Sequence, residues 1–422
     1  LTNSIRFYIR LTVYVKCKIS INEGGKMTLS FDLTEEQRIL RETVRRFAEN
    51  EIRPVCQELD EKEEFSVELT RKMGELGLFG LLFPEKYGGS GMGYISYMIA
   101  VEEIARVDGS QAATLAAGVS LGIAPIYYFG NEEQKRYWLP KLCSGEMLAS
   151  FGLTEPNAGS DAGASRTTAV LDGNEWVING SKIFITNSCT PISGVCVVQC
   201  VTGKRPDGKN ELSCILVPNG TKGFTARPMK GKMVWRASNT GELIFEDCRV
   251  PKENLLGRRG DGFRQMLATL DGGRLSIAAM GLGGAQGAYE AALRYANERE
   301  QFGRNIGAFQ AVAFKLAEMA TRIEAARWLL YYAAWLAEQK RPFTKEAAMA
   351  KLYCSEVMHW VADQAVQIHG GYGLMKEFFV EKYYRNSKLL EIGEGTSEVQ
   401  KIVIARQIGV KGGDWWTGVT HQ

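Results

Sequence analysis

Glu394 sits between Gly393 and Gly395 in the stretch Lys388-Leu-Leu-Glu-Ile-Gly-Glu-Gly-Thr-Ser-Glu-Val-Gln400. Neither neighbour has a side chain, so a ligand can approach the carboxylate and the backbone closely. Ser397 and Gln400 have the spacing of a capping box, and Val399, Ile402 and Val403 begin a helical stripe. The acid is therefore expected in a tight loop just before a helix. A general base fits that place, and so does a solvated carboxylate beside a C-cap glycine. Three further stretches carry polar or aromatic groups at element ends. Phe151-Gly-Leu-Thr-Glu-Pro-Asn-Ala-Gly-Ser-Asp161 breaks a strand with Pro and Gly and offers the hydroxyls of Thr154 and Ser160. Such a loop can present backbone amides and short donors to a flat polar ligand; alone it reads as a surface turn. Arg299, Phe302 and Gly303 put a cation and an aromatic at a helix end, which is also what a favourably charged C-cap looks like. Gln367-Ile-His-Gly-Gly371 closes another helix on a glycine pair.

Other chemistries find little support. Gly281-Leu-Gly-Gly-Ala-Gln-Gly287 has the wrong spacing for a dinucleotide loop and no strand before it; small residues for close helix packing explain it better. Gly-x-Ser-x-Gly is absent. The three histidines, His359, His369 and His421, give no metal-ligand spacing, so no metal is expected. Nine cysteines are scattered without a Cys-x-x-Cys pair, which fits reduced thiols in a cytoplasmic protein. A net charge of +3, from 51 basic and 48 acidic residues, makes no electrostatic case for nucleic acid or a charged membrane. No apolar run is read as approaching the ~20 residues of a membrane span.

The elements that must position these residues follow from periodicity. At 422 residues and 45% hydrophobic, the chain can fill two or three domains. From Phe31 to about Gly130 the pattern is helical. It opens with a Thr34-Glu-Glu-Gln37 capping box, and Pro54 kinks or restarts the helix. Met98 to Val107 reads as a helix with Glu102 and Glu103 on its polar side. Residues 110–127, rich in Ala, Gly and Ser, suit a helix packed closely against a ligand or another helix. From Met147 to Val250 the signals are β, with Asp172-Gly173 and Asn179-Gly180 as hairpin turns. After Pro251, Gly262 to Arg299, Ala308 to Glu338 and Lys345 to Ile368 are long helical stretches. The expected class is α+β multidomain: a 27–146 helical domain, a 147–250 β-barrel or sandwich domain, and a 251–422 four-helix bundle. Residues 1–26 read differently, as a targeting segment or as translated leader. Glu-Gly-Gly before Met27 is what a purine-rich ribosome-binding site would spell, so Met27 is the expected start of a bacterial chain. Mass spectrometry of the product of the native locus tests this; a product beginning at residue 1 refutes it.

Taken together and in order, Phe-Gly-Leu-Thr-Glu-Pro-Asn-Ala-Gly-Ser-Asp, Lys-Ile-Phe-Ile-Thr-Asn, Glu-Arg-Glu-Gln-Phe-Gly, Gln-Ile-His-Gly-Gly-Tyr-Gly and Glu-Gly-Thr-Ser-Glu make a specific pattern. From about Leu33 to Ile408 the chain resembles the acyl-CoA dehydrogenase family, in its short-chain, butyryl-CoA-like bacterial branch. The resemblance implies helical, β and four-helix-bundle domains, and a homotetramer holding FAD at subunit contacts. It implies that Phe151, Leu153, Thr154, Gly159 and Ser160 lie along the flavin and the thioester, and that Phe184 and Thr186 flank the isoalloxazine. Arg299, Phe302, Gln310, Gln367 and Gly371 are expected at the FAD of a neighbouring subunit, with Thr396 and Glu398 completing the site. Asp271 and Arg274 match positions that help hold CoA and the base region, while Gly393 and Gly395 border the substrate. Glu394 matches the catalytic base.

The resemblance also implies the reaction: an acyl-CoA is oxidised to the trans-2-enoyl-CoA, with an electron-transfer flavoprotein taking the electrons. Some relatives place the base at the position of Gly273, which cannot act here. Many carry a tyrosine where this chain has Gly393, so extra room for a branched, cyclic or aryl-bearing acyl group is expected. The glutaryl-CoA branch has an arginine at the position of Ala112, which disfavours that substrate. A flavin monooxygenase of the same fold and a non-catalytic binding or assembly protein are the competing readings; the acid at Glu394 argues against both.

Overall fold

The structure is a computed structural model that describes residues 32–411. The expectations for residues 1–26 and the Met27 start lie outside that range. Thr34 and Gln37 make both halves of the expected box, each side chain meeting the other's backbone N–H, and α1 (Glu35–Phe47) follows. A π-helical turn and a bend through Pro54 interrupt the run, which restarts as α2 (Cys56–Lys62). Then come α3 (Val67–Glu75), α4 (Gly93–Ala105), α5 (Gly109–Ala116), α6 (Ala124–Phe129) and α7 (Glu132–Cys143).

Two expectations change here. Glu102 and Glu103 are buried, not on a solvated face. Glu102 pairs with Arg327 and accepts from the Tyr331 hydroxyl at 2.9 Å; Glu103 accepts from Arg45 at 2.8 Å and pairs with Arg106. Arg45 and Arg327 from other helices and Arg106 from α4's own C-cap neutralise that side. Removing one partner strands the other charge: Glu102→Ala is expected to destabilise the protein by about 3 kcal/mol. Replacing Glu102 and Arg327 together by leucine should recover most of that loss in chemical denaturation.

The second change concerns Gly109–Phe129. This continuous helix of 21 residues, with mean hydropathy 1.5, is long and apolar enough to cross a membrane, contrary to the expectation. Most of it is buried inside the protein instead. Its glycines allow close packing: a Cβ at Gly122 would fall 2.7 Å from the Ala149 carbonyl oxygen, and one at Gly118 2.9 Å from the Phe79 ring. The middle, Ala117–Ile123, widens into a π-helical turn, a distortion frequent at functional sites.

The β-domain runs β1 (Leu148–Gly152), β2 (Thr168–Asp172), β3 (Glu175–Thr186), β4 (Ser193–Lys204), β5 (Asn210–Pro218), β6 (Phe224–Pro228), β7 (Thr240–Pro251) and β8 (Leu255–Leu256). These form one sheet in the order β6-β7-β3-β2-β4-β5-β8, with β1 beside β4 in parallel. Asp172-Gly173 makes the expected hairpin turn, since Asp172 pairs with Glu175 across it. Asn179-Gly180 does not. It lies inside β3 at a bulge, where Gly180 at φ 140° lets the backbone approach Thr167; a Cβ there would be 2.7 Å from the Thr167 Cα. The alternation of strand side chains divides two cores. Cys196 and Val198 of β4 join Ile215 and Val217 of β5 inside the sheet's own core. Val195, Val197, Cys214 and Leu216 face the helices instead.

The chain ends in α8 (Gly262–Glu298), a short hairpin β9 (Glu300–Gln301) and β10 (Arg304–Asn305), then α9 (Gln310–Glu338), α10 (Thr344–His369), α11 (Val380–Ile392) and α12 (Ser397–Gln407). The glycine run at 281–287 lies mid-α8, as packing requires: a Cβ at Gly281 would sit 2.9 Å from the Cys354 carbonyl on α10.

Candidate active site

Glu394 lies in the link between α11 and α12. Its φ of 53° is left-handed, and Gly395 follows at 92°. Two such residues in a row turn the chain sharply, and for glutamate the conformation is strained. Gly393, at φ −67°, needs no glycine for its backbone. The capping box expected of Ser397 and Gln400 is not formed. Thr396 is the N-cap, accepting from the Val399 N–H at 3.3 Å. Gln400 turns back and donates to the Glu394 and Gly395 carbonyl oxygens at 3.2 and 2.9 Å. The left-handed pair sets the helix start one residue early, so the third helical position is Val399, which has no side-chain acceptor.

The Glu394 residue is half-buried, yet its Oε2 is sealed from water and has no hydrogen-bond partner. Burial pushes its pKa up to about 7, against the lowering pull of Lys351 and Arg274. The carboxylate rests on α8 at Gly273, where a Cβ would overlap Oε2. Beside it Arg274 pairs with Asp271, whose other oxygen accepts from Thr344 Oγ1 at 2.7 Å. The Arg274 Nε is buried without a partner. Leu121 of the π-helical turn closes over Gly273, and Ser120 meets Ser276 at 3.2 Å. A buried carboxylate near neutrality, lacking a proton donor of its own, is equipped to take a proton from a weak carbon acid.

The loop after β1 is fixed from below. Lys182, fully buried in β3, donates to Glu155 at 2.7 Å, to Ser165 Oγ at 3.0 Å and to the Leu153 carbonyl at 3.2 Å. The Ile183 N–H donates to the Thr154 carbonyl at 2.9 Å. Leu153 and Thr154 thus lie against Lys182 and Ile183, next to Phe184 in β3. Phe151 is buried, whereas Gly159 and Ser160 are exposed. A register shift in β3 and a φ of 61° turn Phe184 outward, leaving its residue 63% exposed. An exposed aromatic ring beside a loop with hydroxyls and backbone amides fits a flat, conjugated, hydrogen-bonding cofactor.

Three family models cover this chain in series: acyl-CoA dehydrogenase N-terminal domain at residues 34–146, middle domain at 150–248 and C-terminal domain at 260–409. The chain belongs to the acyl-CoA dehydrogenase family. Members are oxidoreductases acting on CH–CH bonds, and FAD is the family's cofactor. The chain is 47% identical to the short-chain specific acyl-CoA dehydrogenase of Clostridium acetobutylicum over 90% of its own length and 100% of the relative's. It matches the butyryl-CoA dehydrogenase structure from Megasphaera elsdenii at a TM-score of 0.87 and 42% identity, over 90% and 100% of the two chains. A chain in the structure of the electron transferring flavoprotein of Acidaminococcus fermentans gives a TM-score of 0.88 and 46% identity, over 91% and 100%.

The remaining acyl-CoA dehydrogenase positions lie elsewhere. Arg299 caps α8, and Phe302 and Gly303 turn the β9–β10 hairpin with φ of 55° and 75°. Phe302 is 92% exposed. Gln310, Gln367 and Gly371 are exposed as well, and Arg299 and Gly371 line a cleft of about 510 Å³ with Tyr295, His369 and Tyr372. Gln367 and Lys351 stand near opposite ends of α10, and Lys351 touches the Glu394 loop. At a helical rise of 1.5 Å per residue, that separates Gln367 from the base loop by about 24 Å. Within one protomer the structure therefore does not bring this second group to Glu394. Thr396 is beside Glu394 with its hydroxyl engaged as a cap, and Glu398 is exposed. Sequence reasoning missed Lys351 and the Glu155–Lys182 pair, and read Gln400 only as a capping-box partner. Their partners lie on other elements or on backbone carbonyls, which residue spacing does not reveal.

Proposed function

We propose that this protein desaturates an acyl-CoA between Cα and Cβ, with Glu394 as the base. The observation that carries the reading is the sealed, unpartnered Oε2 of Glu394, poised near neutrality between two cations. In the ionised form it takes the α-proton. The Glu394 N–H would donate to the thioester carbonyl and stabilise the charge that develops there. An acyl chain entering the site expels water and strengthens both effects. Phe151, Leu153, Thr154, Gly159, Ser160, Phe184, Thr186, Thr396 and Glu398 would hold FAD on one subunit. Arg299, Phe302, Gln310, Gln367 and Gly371 would hold it from a second copy of the chain, since about 24 Å of α10 separates Gln367 from the base loop. Bound FAD supplies the two-electron acceptor for the β-hydrogen. Asp271, Arg274, Gly393 and Gly395 border the acyl-CoA. A homotetramer is the proposed assembly, and an electron-transfer flavoprotein the proposed acceptor, supported by the Acidaminococcus fermentans match.

The acyl group is short, branched, cyclic or aryl-bearing. A Cβ at Gly393 would meet Leu389 at an ordinary 3.4 to 3.9 Å, so the backbone does not exclude a side chain there. Gly393→Tyr is expected to fold and to lower kcat/KM for bulky thioesters about tenfold relative to butyryl-CoA, the effect of a filled hydrophobic pocket. Unchanged selectivity would refute the extra room. The reading as a whole is tested by anaerobic addition of an acyl-CoA panel to the yellow holoenzyme. Bleaching of the oxidised-flavin band by at least one thioester is expected. No bleaching, with oxygen consumed only after prior reduction of the flavin, would favour a monooxygenase; no flavin bound at all would favour a binding protein.

A further inference from the structure

Lys351 is fully buried on α10, yet no carboxylate lies within ion-pair distance of it among the described residues. Its Nζ donates to the Gly395 carbonyl oxygen at 2.7 Å. The same oxygen accepts from Gln400 at 2.9 Å. Two donors from two helices thus converge on the peptide that follows the base. They hold Glu394 and Gly395 in successive left-handed conformations, which glutamate does not prefer. A cation without a paired carboxylate is costly to bury and calls for an explanation beyond packing.

We propose that Lys351 is a positioning residue for the reaction: through the Gly395 carbonyl it fixes the bend that aims Glu394, and its ammonium charge favours the ionised base. This rests on the reading of Glu394 as the base. The charged and titratable groups facing the pair are Arg274 and Asp271 from α8, Tyr97 from α4, Glu391 from α11 and Glu398 from α12. Burial lowers the Lys351 pKa to about 8, while Glu394 acts to raise it, so the ammonium persists at neutral pH. The attraction is mutual, and Lys351 is the largest of the groups pulling Glu394 downward.

The test uses the FAD-loaded protein and an acyl-CoA that bleaches the wild type; absence of wild-type bleaching would fail the base reading, not this one. Lys351→Met keeps the length and removes the charge. Its kcat should fall about 100-fold through misplacement of the base, with KM changed less than about threefold. The pH inflexion of kcat/KM should move upward from near 7 by about one unit as a nearby cation is lost. Lys351→Arg should keep the inflexion near 7. A purely structural lysine would cost stability but leave the inflexion in place, so a Lys351→Met protein with the wild-type inflexion and kcat overturns the proposal. Should Lys351→Met not fold, Lys351→Arg decides. Its bulkier head displaces the carbonyl, so kcat must fall at least about tenfold with the inflexion held; a wild-type kcat in that variant overturns the proposal.

Discussion

Replacing Glu394 by glutamine is expected to leave the protein yellow and lower the rate of flavin bleaching by acyl-CoA about 10³–10⁴-fold, the contribution of a positioned general base. Glutamine matches glutamate in shape, so it can occupy the sealed place over Gly273 and hold the loop in the same bend. What it lacks is an oxygen that can become anionic and accept the α-proton. The wild type carries the companion prediction in its pH profile. Burial pushes the carboxyl up from 4.5 to about 7, and as the proposed base it would act only when ionised. The kcat/KM of the free enzyme should therefore fall about tenfold per pH unit below 7 and level off above it. Rapid-mixing measurement of bleaching across that range checks both statements, and the glutamine variant should show no such limb.

Gly273→Ala is expected to keep the fold and cripple the reaction. In the interior of α8 alanine is the better helix former by about 1 kcal/mol, so the helix itself should gain. The added methyl, however, would overlap Glu394 Oε2 and stand 3.0 Å from its Cδ and 3.2 Å from Leu121 Cδ2. The carboxylate must leave its seat, because backbone on both sides is fixed: α8 by packing and the Glu394 bend by Lys351 and Gln400. A displacement on the order of 1 Å costs about 100-fold in rate. The displaced acid also meets more water, so the inflexion near 7 should move down toward ordinary carboxylate values. Gly272→Ala is the control, since its Cβ would lie 3.7 Å from the Tyr94 hydroxyl, an ordinary contact. Activity and thermal unfolding of the two variants, measured together, separate base displacement from loss of fold.

Much of this arrangement is legible in residue order. Capping chemistry at Thr34 and hydrophobic periodicity locate the helices, and the branched runs after Met147 locate the strands, because each signal is local. The failures have a common origin in tertiary contact. Asn179-Gly180 is a turn dipeptide by local preference, but the nearness of Thr167 makes it a bulge. Glu102 and Glu103 look solvated until Arg327 and Arg45 arrive from other helices and join Arg106 at the end of α4. Gly109–Phe129 is apolar because it is the buried centre of the helical domain. In the site, Glu394 stood out by its glycines, while Lys351 did not. A lysine that serves a backbone carbonyl leaves no pattern in the sequence. The wide separation of Gln367 from the Glu394 loop along α10 emerges only once the helix is known to run unbroken from Thr344 to His369.

The account turns on Glu394 removing the α-proton. An acyl-CoA analogue with sulfur in place of the β-carbon cannot surrender a hydride, so it isolates that step. Incubated with the holoenzyme in heavy water, its α-hydrogens should exchange for deuterium, with a rate that rises through pH 7 and falls about 10³-fold in Glu394→Gln. Exchange at the wild-type rate in the glutamine variant would contradict the account.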